Sequence, residues 1–243
     1  METSQTYCRN CETPLEQAYC SQCGQRAAVH KVTFKETFSD VASGLFSFEA
    51  PFWRTLKLLF VNPGRLFREY LAGKRKSYFK PVSFFILLTV AHLLIRSLLD
   101  YDPMGDIPDD PNARVNLFRE AGQFMVQHIN NILFVFVFTL SLFMKLFFYK
   151  KYSWAEYMAI AFYLVGIYIF LGTIHQFFLK FLDSKMQFLT MVIMLLYFVY
   201  AMISLFQKKK FLVGFQALCA YVFGTIFYVI LGFGLALLIV YFS

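Results

Sequence analysis

Five long stretches of this chain carry no charged side chain, and nothing else constrains its fold as much. They run from Pro81 to Ile95, Ala121 to Met144, Tyr157 to Leu179, Met186 to Gln207 and Phe211 to Ser243, with lengths of 15, 24, 23, 22 and 33 residues. A helix crossing a bilayer needs roughly 20 apolar residues, so four runs qualify as they stand. The first qualifies when extended to Phe79–Leu99, with Lys80 and Arg96 snorkelling to the two interfaces. Pro81 suits the first turn of that helix, where its missing N–H is no loss. The last run exceeds one bilayer and is expected to tilt, project or bend near Gly224, Gly232 or Gly234. Composition agrees: 58% of the 243 residues are hydrophobic and 16% are charged, whereas a soluble domain is nearer half apolar and a quarter charged. A simple soluble enzyme, a disordered tail and a disulfide-rich secreted module are excluded. The expected fold is an all-α polytopic membrane protein of about five transmembrane helices with a small N-terminal zinc ribbon. Its three parts are a ribbon at 1–30, basic amphipathic interfacial helices at 31–80, and a transmembrane domain at 81–243.

Orientation follows from the distribution of Lys and Arg. Summed over alternate sides of five spans, the N-terminal side holds 18 of these residues and the opposite side 5. The expected arrangement has a cytoplasmic N-terminus and an external C-terminus. The acidic loop from Asp100 to Asp110 falls outside.

The first thirty residues hold four of the five cysteines, as Cys8-Arg9-Asn10-Cys11 and Cys20-Ser21-Gln22-Cys23. Each CxxC turn aims two thiolates at one ion, and two such turns complete a tetrahedral site. Little else here could form a core, so metal binding must supply the folding energy. Four protein ligands leave no open position for a catalytic water, which makes the zinc structural. A cytoplasmic location disfavours disulfides between these residues. The ribbon carries Arg9 and Arg26 against Glu2, Glu12 and Glu16. A nucleic-acid module should be basic, so no nucleic acid is expected as a partner.

Residues 31–80 hold ten Lys or Arg and four acids. Thr33 and Glu36 have capping-box spacing, with apolar residues following on one helical face. Asn62-Pro63-Gly64 reads as a turn, and Gly73 as the stop of a short helix. Arg65, Arg68, Lys74, Arg75 and Lys76 are the candidate contacts to anionic lipid head groups or to a protein partner. Plain positive-inside topology accounts for the same charges.

The ordered set of the two CxxC pairs, Asn62-Pro63-Gly64, Arg68-Glu69-Tyr70, Gly73-Lys74-Arg75, Tyr78 and Pro81 resembles a group of bacterial zinc-ribbon integral membrane proteins catalogued as a domain of unknown function. The resemblance covers mainly residues 8–95. It implies a bacterial inner-membrane protein and carries over no catalytic residues.

The spans hold almost no ionisable group near their middles, which argues against a carrier relying on a membrane carboxylate. Three histidines remain. The orientation brings His92, His128 and His175 to the outer leaflet, where convergent imidazoles could ligate a metal or relay a proton. Three separate, locally bonded histidines are the simpler alternative. No nucleotide-binding, hydrolase or metalloprotease motif is present. The leading expectation is a non-enzymatic membrane protein docking a partner protein or anionic lipid at its cytoplasmic face. The alternatives are a small permease or channel, and a lipid-modifying enzyme using the outer histidines.

Overall fold

The structure is a computed structural model, described here over residues 6–29, 31–34, 50–99, 117–181, 189–207 and 209–242. Among the described residues, eight helices follow a Cys-containing ribbon: α1 (Ala50–Val61), α2 (Pro63–Leu71), α3 (Pro81–Leu99), α4 (Leu117–Gln127), α5 (Ile129–Phe147), α6 (Trp154–Phe181), α7 (Leu189–Phe206) and α8 (Lys210–Phe242). Among the described residues there is no β-strand, only two isolated bridges within the ribbon. Most of the helix expected after Thr33, and the whole acidic loop from Asp100 to Asp110, lie outside the described residues.

Among the described residues, three helices are long and apolar enough to cross a membrane: α3, α6 from Trp154 to Lys180, and α8. The apolar stretches of α5 and α7, Ile132–Phe147 and Met191–Phe206, are shorter. The run from Ala121 to Met144 divides into α4 and α5 at His128. That residue leaves helical geometry (φ −103°, ψ 20°), and its ring stacks on Phe124 at 4.1 Å. The final run is one unbroken helix of 33 residues. Gly224 and Gly232 mark helix contacts, whereas a Cβ at Gly234 would meet nothing within 4 Å. A Cβ at Gly224 would meet the Leu140 backbone at 3.4 Å, and one at Gly232 would meet Ile132 at 2.8 Å.

The helix α6 is the centre of the bundle. It packs on α3, α5 and α7, and Tyr157, Phe162 and Tyr163 on it are fully buried. Its start is a reciprocal capping box. The Ser153 N–H donates to Glu156 Oε2 at 2.7 Å, and the Glu156 N–H donates to Ser153 Oγ at 3.3 Å. This satisfies two of the helix's orphan N–H groups and explains a buried carboxylate at that level. The helix α8 is peripheral and exposes Phe211, Phe215, Ile230, Leu238 and other large apolar side chains. Apolar surface so extensive is what a lipid-facing helix presents.

The amphipathic stretch packs against the helices of the bundle. α2 buries Pro63, Gly64, Leu66, Phe67 and Tyr70. Phe67 stacks on Tyr163 of α6 at 6.2 Å, and Tyr70 meets the same ring edge-on at 5.7 Å. α1 buries Leu59 completely but leaves Trp53 and Val61 exposed.

Candidate metal centre and its seat on the bundle

The two knuckles are built alike. In the first, Cys8 N–H donates to Thr13 O and Glu12 N–H donates to Cys8 O, both at 2.8 Å. In the second, Cys20 N–H donates to Gln25 O at 2.8 Å and Gly24 N–H to Cys20 O at 2.9 Å. Bridges Tyr7–Pro14 and Tyr19–Arg26 close the two turns. The residue after each second cysteine takes a left-handed conformation: Glu12 at φ 62° and Gly24 at φ 69°. Thr13 Oγ1 donates to Gln22 Oε1 and ties one knuckle to the other.

Cys8, Cys11, Cys20 and Cys23 bring their Sγ atoms within 4.8 Å of one another, the arrangement of a group able to hold one metal ion. The nearest pairs are Cys8–Cys23 at 3.6 Å and Cys11–Cys20 at 3.5 Å. A disulfide needs about 2.05 Å. A zinc tetrahedron with Zn–S near 2.3 Å places its sulfurs about 3.8 Å apart, so the set fits a four-coordinate ion. The Asn10 N–H points at Cys8 Sγ at 3.4 Å. Thr13, through its hydroxyl and its backbone, draws the Cys11 thiol down to about 6, whereas burial pushes Cys23 up to about 12. Four adjacent thiols do not all ionise unaided, and a bound divalent cation would supply the missing compensation.

The residues inside and just after the knuckles dock the ribbon onto the loop joining α2 to α3. Arg9 donates to Ala72 O at 3.3 Å. Asn10 Oδ1 accepts from Ser77 N–H at 3.0 Å and Ser77 Oγ at 2.7 Å. Gln25 is buried and used at both ends. Its Nε2 donates to Gly73 O at 2.9 Å, and its Oε1 accepts from the N–H groups of Arg75 and Lys76 at 3.1 and 3.0 Å. Gly73 sits at φ 106°, and a Cβ there would stand 2.8 Å from the Arg9 side chain. The positive φ is what favours glycine here, since the Arg9 side chain is flexible enough to move aside.

The same loop is gripped from the bundle. Phe79 N–H donates to Thr55 Oγ1 of α1 at 2.9 Å. Tyr163 of α6 donates its hydroxyl to Phe79 O. Tyr78 donates to Glu69 of α2, which also pairs with Arg65 at 2.7 Å and Lys74 at 3.2 Å. Burial works against the Glu69 carboxylate, but Tyr78, Arg65 and Lys74 outweigh it and hold it at about 2.

Asn62-Pro63-Gly64 is more than a turn. Asn62 caps α2 by accepting from Arg65 N–H at 3.1 Å. Ser204 of α7 donates to Asn62 Oδ1 at 3.0 Å and accepts from Gly64 N–H at 3.1 Å. A Cβ at Gly64 would lie 2.1 Å from the Ser204 carbonyl. Tyr197 and Tyr200, on the same face of α7, donate to Leu59 O and Val61 O at 3.0 and 2.7 Å. Two of the last carbonyls of α1, otherwise orphaned, are thus satisfied.

The five basic candidates separate under this geometry. Arg68 donates to Ser204 O, and to Leu205 O at 2.9 Å. It closes the C-terminus of α7, where a cation meets unpaired carbonyls and the negative end of the helix dipole. Arg65 and Lys74 share Glu69. Arg75 lies over the Tyr70 ring at 6.0 Å, and Lys76 is exposed. His92 and His128 have separate local partners. His92 Nδ1 meets Thr173 Oγ1 at 2.8 Å and its Nε2 meets Gln176 at 3.3 Å. His128 Nδ1 meets Phe124 O at 3.0 Å. Among the described residues the four cysteines form the single group of His, Cys, Asp and Glu placed to share an ion, and His92, His128 and His175 form none.

Residues 49–92, which span α1, α2 and most of α3, match a family described as "Protein of unknown function (DUF3667)". No curated protein and no solved structure matches the chain.

Proposed function

We propose that this chain is a non-enzymatic integral membrane protein. Its structural zinc ribbon and its membrane-proximal α2–α3 corner form one rigid docking face at the cytoplasmic side of a bacterial inner membrane. The observation that carries the reading is the seating of the ribbon on residues 72–77 by Arg9, Asn10 and Gln25. Seated this way, the ribbon leaves Tyr7 and Tyr19, 62% and 58% exposed, one on each knuckle. Exposed tyrosines on a rigid support are favoured contacts at protein interfaces. The face therefore suits a protein partner.

Five spans fit this reading. At 19 and 18 residues, α5 and α7 extend about 27–28 Å, close to the roughly 30 Å of a hydrocarbon core. The N-terminus is then cytoplasmic and the C-terminus external.

The test is crosslinking in intact membranes from a photoreactive residue at position 7 or 19. One discrete adduct, lost when Gln25→Ala unseats the ribbon, supports the docking face. Adducts that persist unchanged in Gln25→Ala, or none beyond lipid, would sink it.

A further inference from the structure

A second basic feature lies at the same end of the bundle, away from the ribbon's seat. A cavity of about 380 Å³ opens between the α5–α6 loop and the α7–α8 turn. Three lysines line it, Lys150, Lys151 and Lys209, and among its described lining residues there is no carboxylate. The rest is almost wholly apolar, with Phe148, Phe206, Leu212 and Val213 contributing. Phe148 and Phe206 stack at 4.6 Å and join the ends of α5 and α7.

The wall is built before any ligand arrives. Lys145 donates to Tyr149 O at 2.7 Å and Tyr152 O at 2.9 Å. Tyr157 donates to Phe148 O at 2.7 Å, and Gln216 reaches Phe147 O at 3.4 Å. Three side chains thus hold the loop by its carbonyls. Lys150 and Lys151 instead hold their ammonium groups over aromatic rings of the cavity wall, Nζ standing 5.4 Å from the Tyr149 centroid and 5.9 Å from that of Phe206. Gln207 and Lys209 both take left-handed backbone conformations, φ 53° and 45°, which non-glycine residues rarely adopt.

A cationic rim over an aromatic, apolar floor matches one ligand chemistry: an anionic head group attached to a hydrocarbon chain. A free phosphate would leave the floor wet, and a zwitterionic lipid would not use three cations. We propose that this cavity binds an anionic phospholipid of the leaflet that surrounds it, with Lys150, Lys151 and Lys209 on the phosphate and Leu212 and Val213 along the first acyl methylenes. Lysine suits this as a point charge on a flexible stem, and each basic residue near an anionic surface adds to retention. The proposal rests on the membrane reading above, but not on the ribbon's partner.

The full chain, purified in mild detergent after incubation with a mixture of phosphatidylglycerol and phosphatidylethanolamine, would be examined by native mass spectrometry. The parent should retain phosphatidylglycerol. Lys150→Gln/Lys151→Gln/Lys209→Gln should lower that retention about tenfold, and Leu212→Trp should do the same with every lysine in place. Arg65→Gln/Lys74→Gln/Arg75→Gln/Lys76→Gln should stay within twofold of the parent. Retention unchanged in the triple variant overturns the site. So does retention lost in the triple variant but kept in Leu212→Trp, because surface charge alone then explains it. Loss in the quadruple variant with retention in the triple would move the lipid to the ribbon's seat and overturn this assignment. None of these results bears on crosslinking from positions 7 and 19.

Discussion

Residues 65–76 and residues 145–151 with Lys209 are both basic stretches beside membrane helices, yet the molecule uses them differently. In the first, Arg68 closes a helix end, Arg65 and Lys74 neutralise Glu69, and the backbone of 73–77 is bonded to the ribbon. In the second, only Lys145 is spent on carbonyls, and Lys150, Lys151 and Lys209 face a cavity. A positive residue at a membrane surface is therefore not one kind of object. Its partner decides whether it stabilises the fold, orients the chain or remains available to an anion.

The largest test of this contrast is metal removal. Structural zinc contributes roughly 10–16 kcal/mol in small ribbons. The purified protein should contain about one zinc per chain. Chelation, or Cys8→Ser, should unfold the ribbon and raise amide exchange at Arg75, Lys76 and Ser77, with the 145–151 loop unchanged. Exchange that stays slow at 75–77 would mean the seat stands without the ribbon.

Gly64→Ala comes next. Its Cβ would collide with the α7 backbone, and overpacking of this kind costs about 3 kcal/mol or more. Thermal unfolding should shift strongly downward, while Gly122→Ala, where a Cβ meets nothing within 4 Å, should leave it unchanged. Equal shifts would remove the special status of the α2–α7 contact. Arg68→Gln should cost about 2 kcal/mol through the unpaired α7 carbonyls. Lys76→Gln should cost nothing measurable in the same assay.

The smallest effect concerns pH. The Glu69 carboxylate is held at about 2 in the folded protein, against an ordinary value near 4.3. A depressed carboxylate contributes stability that is complete above its unfolded value and is lost as pH falls toward the folded one. Unfolding measured from pH 6 to 2 should lose about 1–2 kcal/mol below pH 4.5, and Glu69→Gln should flatten that slope. An unchanged slope in the variant would show that another carboxylate carries it.

The cysteine centre was legible because CxxC spacing is local: two ligands and their turn lie within four residues. The long helices were legible because their length must match a bilayer. What escaped the sequence is what its partners define. Arg9, Asn10 and Gln25 look like polar filling of a knuckle, and their partners lie 48 to 67 residues away. Gly64 looked like a turn residue until Ser204 stood against it. Arg65 and Arg68 share a helix and a charge, and only one of them reaches α7. The division at His128 escaped because hydropathy does not register a single non-helical residue. The histidines were grouped by depth alone, and depth does not fix rotation about a helix axis.

The junction between α2 and α7 also has a consequence for how the protein is made. Asn62, Gly64 and Arg68 take their partners from residues 204 and 205. A ribosome adding roughly 5–20 residues per second reaches those partners on the order of ten seconds after α2 has emerged. During that interval Asn62, Gly64 and Arg68 lack their partners on α7. Arrival of the end of α7 then locks them, so the segment that leads in synthesis is among the last to be placed.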